Sequence, residues 1–101
     1  MQEISVEELK SRLDSGEAFH LVDVREPWEY EEFNIGARNL PLSSFMSFMP
    51  ELEDWKDEEI VIHCKMGGRS MQAVAILEQM GFKQVKNVTG GMEEWKLKFP
   101  K

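Results

Sequence analysis

Cysteine is almost missing from this chain, which has Cys64 and no other. A lone thiol excludes an internal disulfide and any Cys₂ or Cys₄ zinc site. With only His20 and His63 beside it, a structural metal is not expected either. Cations are also scarce: 12 Lys and Arg face 19 Asp and Glu, for a net charge of -7. A phosphate binder needs a basic surface, so this balance argues against nucleic acid as a partner. Long apolar runs are absent, and Met1 to Val6 shows no basic stretch leading into an apolar one. The expectation is a soluble cytoplasmic protein with no leader peptide and no membrane partner. Asn87-Val88-Thr89 matches a glycosylation acceptor, read here as a chance match because secretion is not expected.

Repeats, low-complexity stretches and linkers are absent as well. The 101 residues, 42% of them hydrophobic, have the size and core material of one domain. Ser5-Val6-Glu7-Glu8 is a capping box that opens a short helix to about Leu13, with Gly16 soon after. Phe19 to Val24 reads as a strand, Pro27 opens a short helix through Tyr30 and Phe33, and Ala37 to Leu40 reads as a short strand. Ser43 to Met49 is a candidate helix that Pro50 interrupts. Ile60-Val61-Ile62 is too apolar for a half-exposed strand and is placed mid-sheet. A helix is predicted from Ser70, with Val74, Leu77 and Met80 as its stripe and Gly81 as its stop. Val85 to Val88 is a strand, Gly90-Gly91 a turn, and Met92 to Lys98 a helix with Trp95 inward. Strands alternating with helices predict an α/β domain: a mostly parallel central sheet with helices on both faces.

The chemistry concentrates in Ile60-Val61-Ile62-His63-Cys64-Lys65-Met66-Gly67-Gly68-Arg69-Ser70. A buried strand ends at Cys64, a glycine loop follows, and a helix starts near Ser70. Ligands of open α/β sheets bind beyond the carboxyl ends of the strands, where Cys64 stands. The glycines let the backbone aim several amides at one point, and the helix start adds its positive dipole end. Lys65 and Arg69 bring cations to an otherwise acidic chain. Such surroundings lower a cysteine pKa from about 8.5 toward ~3.5–7.5. A lone cysteine is more commonly a small buried hydrophobe, but this combination singles out Cys64 as a nucleophile.

Cys64-Lys65-Met66-Gly67-Gly68-Arg69-Ser70 resembles the active-site loop of single-domain rhodaneses, which often reads Cys-x-x-Gly-x-Arg-Ser. Asp23-Val24-Arg25-Glu26 with Glu29-Tyr30 is similar to that family's first signature. Gly36-Ala37 and Leu40-Pro41-Leu42 resemble what comes next, and Gly90-Gly91 with Trp95 its closing motif. The resemblance runs from about Ile4 to Trp95. Two departures stand out. Phe33 occupies the place of a usual histidine, and Lys96-Leu97-Lys98-Phe99 lacks the glycine that often follows the closing tryptophan.

The resemblance implies a rhodanese-like domain and a two-step sulfur transfer without a cofactor. Cys64 takes a sulfur from a small donor, thiosulfate or a persulfide, and passes it to a thiol, or to cyanide in the standard assay. Cys64 is then the catalytic residue, and Lys65, Met66, Gly67, Gly68 and Arg69 form the substrate loop whose amides compensate negative charge. Asp23, Arg25 and Ser70 are expected to support it. Arg69 suits either anion binding or bracing of the loop, and Lys65 either meets the donor's sulfonate or is a solvated lysine. His63 points to the opposite face from Cys64 and is read as packed and hydrogen-bonded. Phe45, Met46, Phe48 and Met49 form an apolar cluster for core packing or for the substrate entrance.

Two rival functions share some of these features. A cysteine-dependent phosphatase or arsenate reductase also uses a His-Cys pair and an arginine, but with five residues between cysteine and arginine where this chain has four. A non-catalytic binding or sulfur-carrier partner module is the other, although such modules often lack the cysteine.

Overall fold

A computed structural model describes residues 1–100. Five strands form one sheet: β1 (Gln2–Ile4), β2 (His20–Asp23), β3 (Arg38–Asn39), β4 (Ile60–His63) and β5 (Val85–Val88). Their order is β1-β5-β4-β2-β3, and every neighbouring pair is parallel. All carboxyl ends therefore share one edge. The central place of β4 follows from its composition, since all four of its residues are buried.

Alternation along the strands makes two apolar layers. Ile60, Ile62, Val22 and Val24 pack with Phe45, Leu52, Ala73, Val74 and Leu77 on one face. Val61 and Val88 pack with Val6, Leu9, Met92 and Trp95 on the other. The first layer belongs to α3 (Met49–Glu53) and α4 (Gly68–Gln79), the second to α1 (Val6–Asp14) and α5 (Gly91–Lys98). Side chains such as Leu77 and Ile62, fully buried, each contribute about 1.5–3 kcal/mol by leaving water. The helix stripes and strand runs of the sequence thus meet as expected, with helices on both faces of a parallel sheet. No helix among the described residues is long and apolar enough to cross a membrane.

The ends and breaks of elements have local causes. Ser5 Oγ accepts from the Glu8 N–H at 3.0 Å and starts α1, a bond worth ~1 kcal/mol. α2 (Pro27–Glu32) begins with Pro27, while the Glu29 carboxylate accepts from the Glu26 N–H at 2.9 Å. Pro50 corrects the sequence reading: it sits in the first turn of α3, where its missing N–H costs nothing, and so opens a helix. The helix expected over Ser43 to Met49 is instead a 3₁₀ segment, Leu42–Phe48, kinked at Ser44. α4 begins at Gly68, two residues before Ser70. β1 was not foreseen, because Ile4 is its only buried residue and leaves no alternation to read.

Candidate functional site

β4 carries the chain from the buried His63 straight into Cys64, which is 1% exposed at the carboxyl edge of the sheet. The loop then reverses at Gly67, whose φ of 116° is open to glycine and strained for other residues. That turn folds the backbone over the sulfur. Gly67 N–H donates to Cys64 Sγ at 3.1 Å and Ser70 N–H at 3.3 Å, with Ser70 Oγ 3.4 Å away. Burial pushes the thiol pKa up, yet the Ser70 hydroxyl and the amides of Ser70, Gly67 and Met66 outweigh it. The net effect holds the thiol below its ordinary value. Of the loop amides, helix start and cations expected to act together, the hydrogen bonds lead this lowering, and Lys65 and Arg69 are not among its main causes.

Arg69 points elsewhere. Its Nη1 and Nη2 bind Glu29 Oε1 and Oε2 at 2.7 and 2.9 Å, tying α4 to α2. This pair holds the Glu29 carboxyl at about 2, the Arg69 bond outweighing the cost of burial. Of the two uses left open for Arg69, bracing is the one the geometry displays. Lys65 and Met66 are exposed at the loop's outer side, and Lys65 has no carboxylate partner among the described residues. Gly68 is exposed at the helix start. Beside Lys65 lies a pocket of about 550 Å³ that Arg25, Trp28, Glu29, Met92 and Lys96 also line.

Asp23 and Arg25 form a buried ion pair at 2.8 Å. Arg25 Nη2 also donates to the Phe33 carbonyl at 2.6 Å, so the pair ties the end of β2 to the end of α2. His63 corrects an expectation: it is packed but not hydrogen-bonded. Neither ring nitrogen has a partner among the described residues, and Nδ1 lies 3.9 Å from Asp23 Oδ2. Desolvation lowers its pKa to about 4, more than Asp23 raises it, and Arg25 adds to the lowering. The apolar cluster near the loop divides. Phe45 is buried in the core with Cys64, Phe48 and Met49 pack against that core, and Met46 is exposed.

Three residues brace the loop through contacts that sequence patterns do not display. Glu29 is the partner of Arg69, but nothing in sequence joins residues 40 apart. Asn87 reaches from β5 to Ser70, and no local pattern announces it. Gly91 is the third. Met92 N–H donates to the Cys64 carbonyl and Glu93 N–H to the Lys65 carbonyl, both at 2.9 Å, so the start of α5 holds the loop from behind. A Cβ on Gly91 would lie 2.4 Å from the Cys64 carbonyl oxygen, so only glycine allows this approach.

Comparison with known proteins agrees with this fold. The family profile of the rhodanese-like domain matches residues 5–98. The chain is 40% identical to a sulfurtransferase of Allochromatium vinosum, covering 94% of itself and 88% of that protein. It is also 40% identical to YrkF of Bacillus subtilis, covering 92% of itself but spanning only 50% of that protein. Among solved structures, a rhodanese-like domain of the Anabaena protein Alr3790 superposes with a TM-score of 0.86. Identity there is 30%, over 98% of this chain and 76% of the other.

Proposed function

The chain belongs to the rhodanese-like domain family of sulfurtransferases, and from that membership we propose that Cys64 moves sulfane sulfur through a persulfide. The donor is thiosulfate or a small persulfide, and the acceptor is a thiol, or cyanide in assay. The Cys64 thiolate attacks the outer sulfur of thiosulfate, the S–S bond breaks, and sulfite leaves with its electron pair. The acceptor thiolate then attacks that outer sulfur and returns Cys64 to the thiolate. Sulfite is a stable anion and needs no protonation to leave, so the site requires no general acid.

The observation that carries this reading is the ring of donors closed on Cys64 Sγ by Gly67 and Ser70. It supplies compensation for negative charge without reorganising during the step. Lys65, free of any carboxylate among the described residues, is the cation proposed to meet the donor's sulfonate. A reducing, cytoplasmic setting suits a lone catalytic thiol. Phosphate chemistry fits less well, because both terminal nitrogens of Arg69 are engaged on Glu29.

The test is the formation of thiocyanate from thiosulfate and cyanide. Wild-type protein should catalyse it and Cys64→Ala should not. Aryl-phosphate hydrolysis that depends on Cys64, with no thiocyanate formed, would favour the phosphatase instead.

A further inference from the structure

Cys64, Ser70 and Asn87 form one line of hydrogen bonds under the loop. The Cys64 thiol donates to Ser70 Oγ at 3.4 Å, and the Ser70 hydroxyl donates in turn to Asn87 Oδ1. All three residues are buried. Ser70 Oγ also lies 3.1 Å from the Gly67 carbonyl, but a hydroxyl has one proton to give. Asn87 stands in register with Ile62, on the face of the sheet that Cys64 shares. Sulfur transfer as described above makes no use of it.

Ionisation of Cys64 reverses this line. The thiol proton leaves for solvent, and the thiolate can only accept. The Ser70 hydroxyl keeps its proton but must turn it toward Sγ, leaving its lone pairs facing Asn87. A carbonyl oxygen facing those lone pairs would be repelled, whereas an amide nitrogen would donate. A primary amide offers either group from nearly the same volume after a half-turn about its last bond. A carboxylate has no donor to offer, and an apolar side chain has neither group.

We propose that Asn87 is a positioning residue for sulfur transfer, its amide turning over as Cys64 ionises so that Nδ2 faces Ser70 and the Ser70 proton is committed to the thiolate. The proposal rests on Cys64 as the nucleophile, but its test reads thiol ionisation and needs no sulfur donor. Its failure is thus separable from a failure of sulfur transfer. The charged groups on the elements around the loop are Lys65 in the loop itself, Arg69 on α4 with its partner Glu29, Glu93 on α5, and the Asp23–Arg25 pair at the end of β2. His63 lies on the opposite face of β4. None of these is changed in the variants below.

Alkylation of Cys64 by iodoacetamide is followed against pH in wild-type protein, Asn87→Leu, Ser70→Ala and the double variant. Asn87→Leu should move the midpoint to higher pH and slow alkylation below it by about two- to tenfold, the range for one hydrogen bond. Ser70→Ala should do the same. The double variant should be no slower than Ser70→Ala alone, because Asn87 acts only through Ser70. An unmoved midpoint in Asn87→Leu overturns the proposal, as does a shift that persists in the Ser70→Ala background. A second measurement leaves Asn87 in place. Its side-chain amide resonances should titrate with the alkylation midpoint in wild-type protein and stay flat there in Ser70→Ala. Resonances that stay flat in wild-type protein, or that still titrate in Ser70→Ala, also overturn it.

Discussion

Arg69 and Glu29 join α4 to α2 through two parallel bonds of 2.7 and 2.9 Å, so the arginine of the loop signature is spent on holding the loop. This pair gives stability a defined pH dependence. The Glu29 carboxyl sits at about 2 when folded, below its ordinary 4.5. Its contribution is therefore full above pH 4.5 and lost as pH falls toward 2. Glu59, also held at about 2 by Arg12 and Lys86, titrates in the same window. With Arg69 one-third exposed, we expect Glu29→Gln to cost about 1–2 kcal/mol at neutral pH after screening. Denaturant unfolding at pH 7 and pH 3 checks this: the cost should shrink at the lower pH. An equal cost at both would mean that charge is not the cause.

His63 acts in a higher window and with the other chemistry. Its folded pKa of about 4 lies below the ordinary 6.5, so the unfolded chain binds the proton more readily. Stability is unaffected above pH 6.5 and falls as pH drops from there toward 4, by about 3 kcal/mol at most. Replacing this partnerless ring with an apolar side chain, His63→Leu, should flatten the curve in that window. Unfolding midpoints at pH 7 and pH 4.5 decide it, and an unchanged slope in the variant would refute the assignment.

Gly91 permits the approach of α5 to the Cys64 and Lys65 carbonyls, at a φ of 55°. Gly91→Ala should destabilise the protein by about 2–3 kcal/mol through contact with those oxygens and an unfavourable backbone. Gly68→Ala is the contrast: beyond its chain neighbours and its own helix backbone nothing lies within 4 Å of the added methyl, and its φ is not positive, so stability should hold or rise slightly. Thermal unfolding of the two variants provides the comparison.

How far the sequence could be read depends on the range of each signal. β4, β5, the stripe of α4 and the position of Cys64 were legible because strand runs, helical periodicity and a glycine loop are local patterns. Pro50 misled because one residue type both ends helices and opens them, and only the following turn decides. The Arg69–Glu29 brace, the Ser70–Asn87 contact and the docking of α5 on the loop were not legible. Each is set by the sheet order, which places β5 and β2 on either side of β4.

Lys65 separates the two half-reactions. If it meets the sulfonate of thiosulfate, Lys65→Ala should weaken donor use by about 1.5–3 kcal/mol, the range for a bond to a charged group. Removal of sulfur by cyanide from preformed persulfide should change far less. Single-turnover rates for each half-reaction measure the difference, and equal losses would indicate a disturbed loop.

The central claim is that the sulfur in transit resides on Cys64. Intact mass spectrometry after incubation with thiosulfate measures this without an acceptor. Wild-type protein should gain ~32 Da, one sulfur, and should lose it on adding cyanide, while Cys64→Ala should gain nothing. A gain that survives in Cys64→Ala, or no gain in a wild-type protein that turns over, would contradict the account.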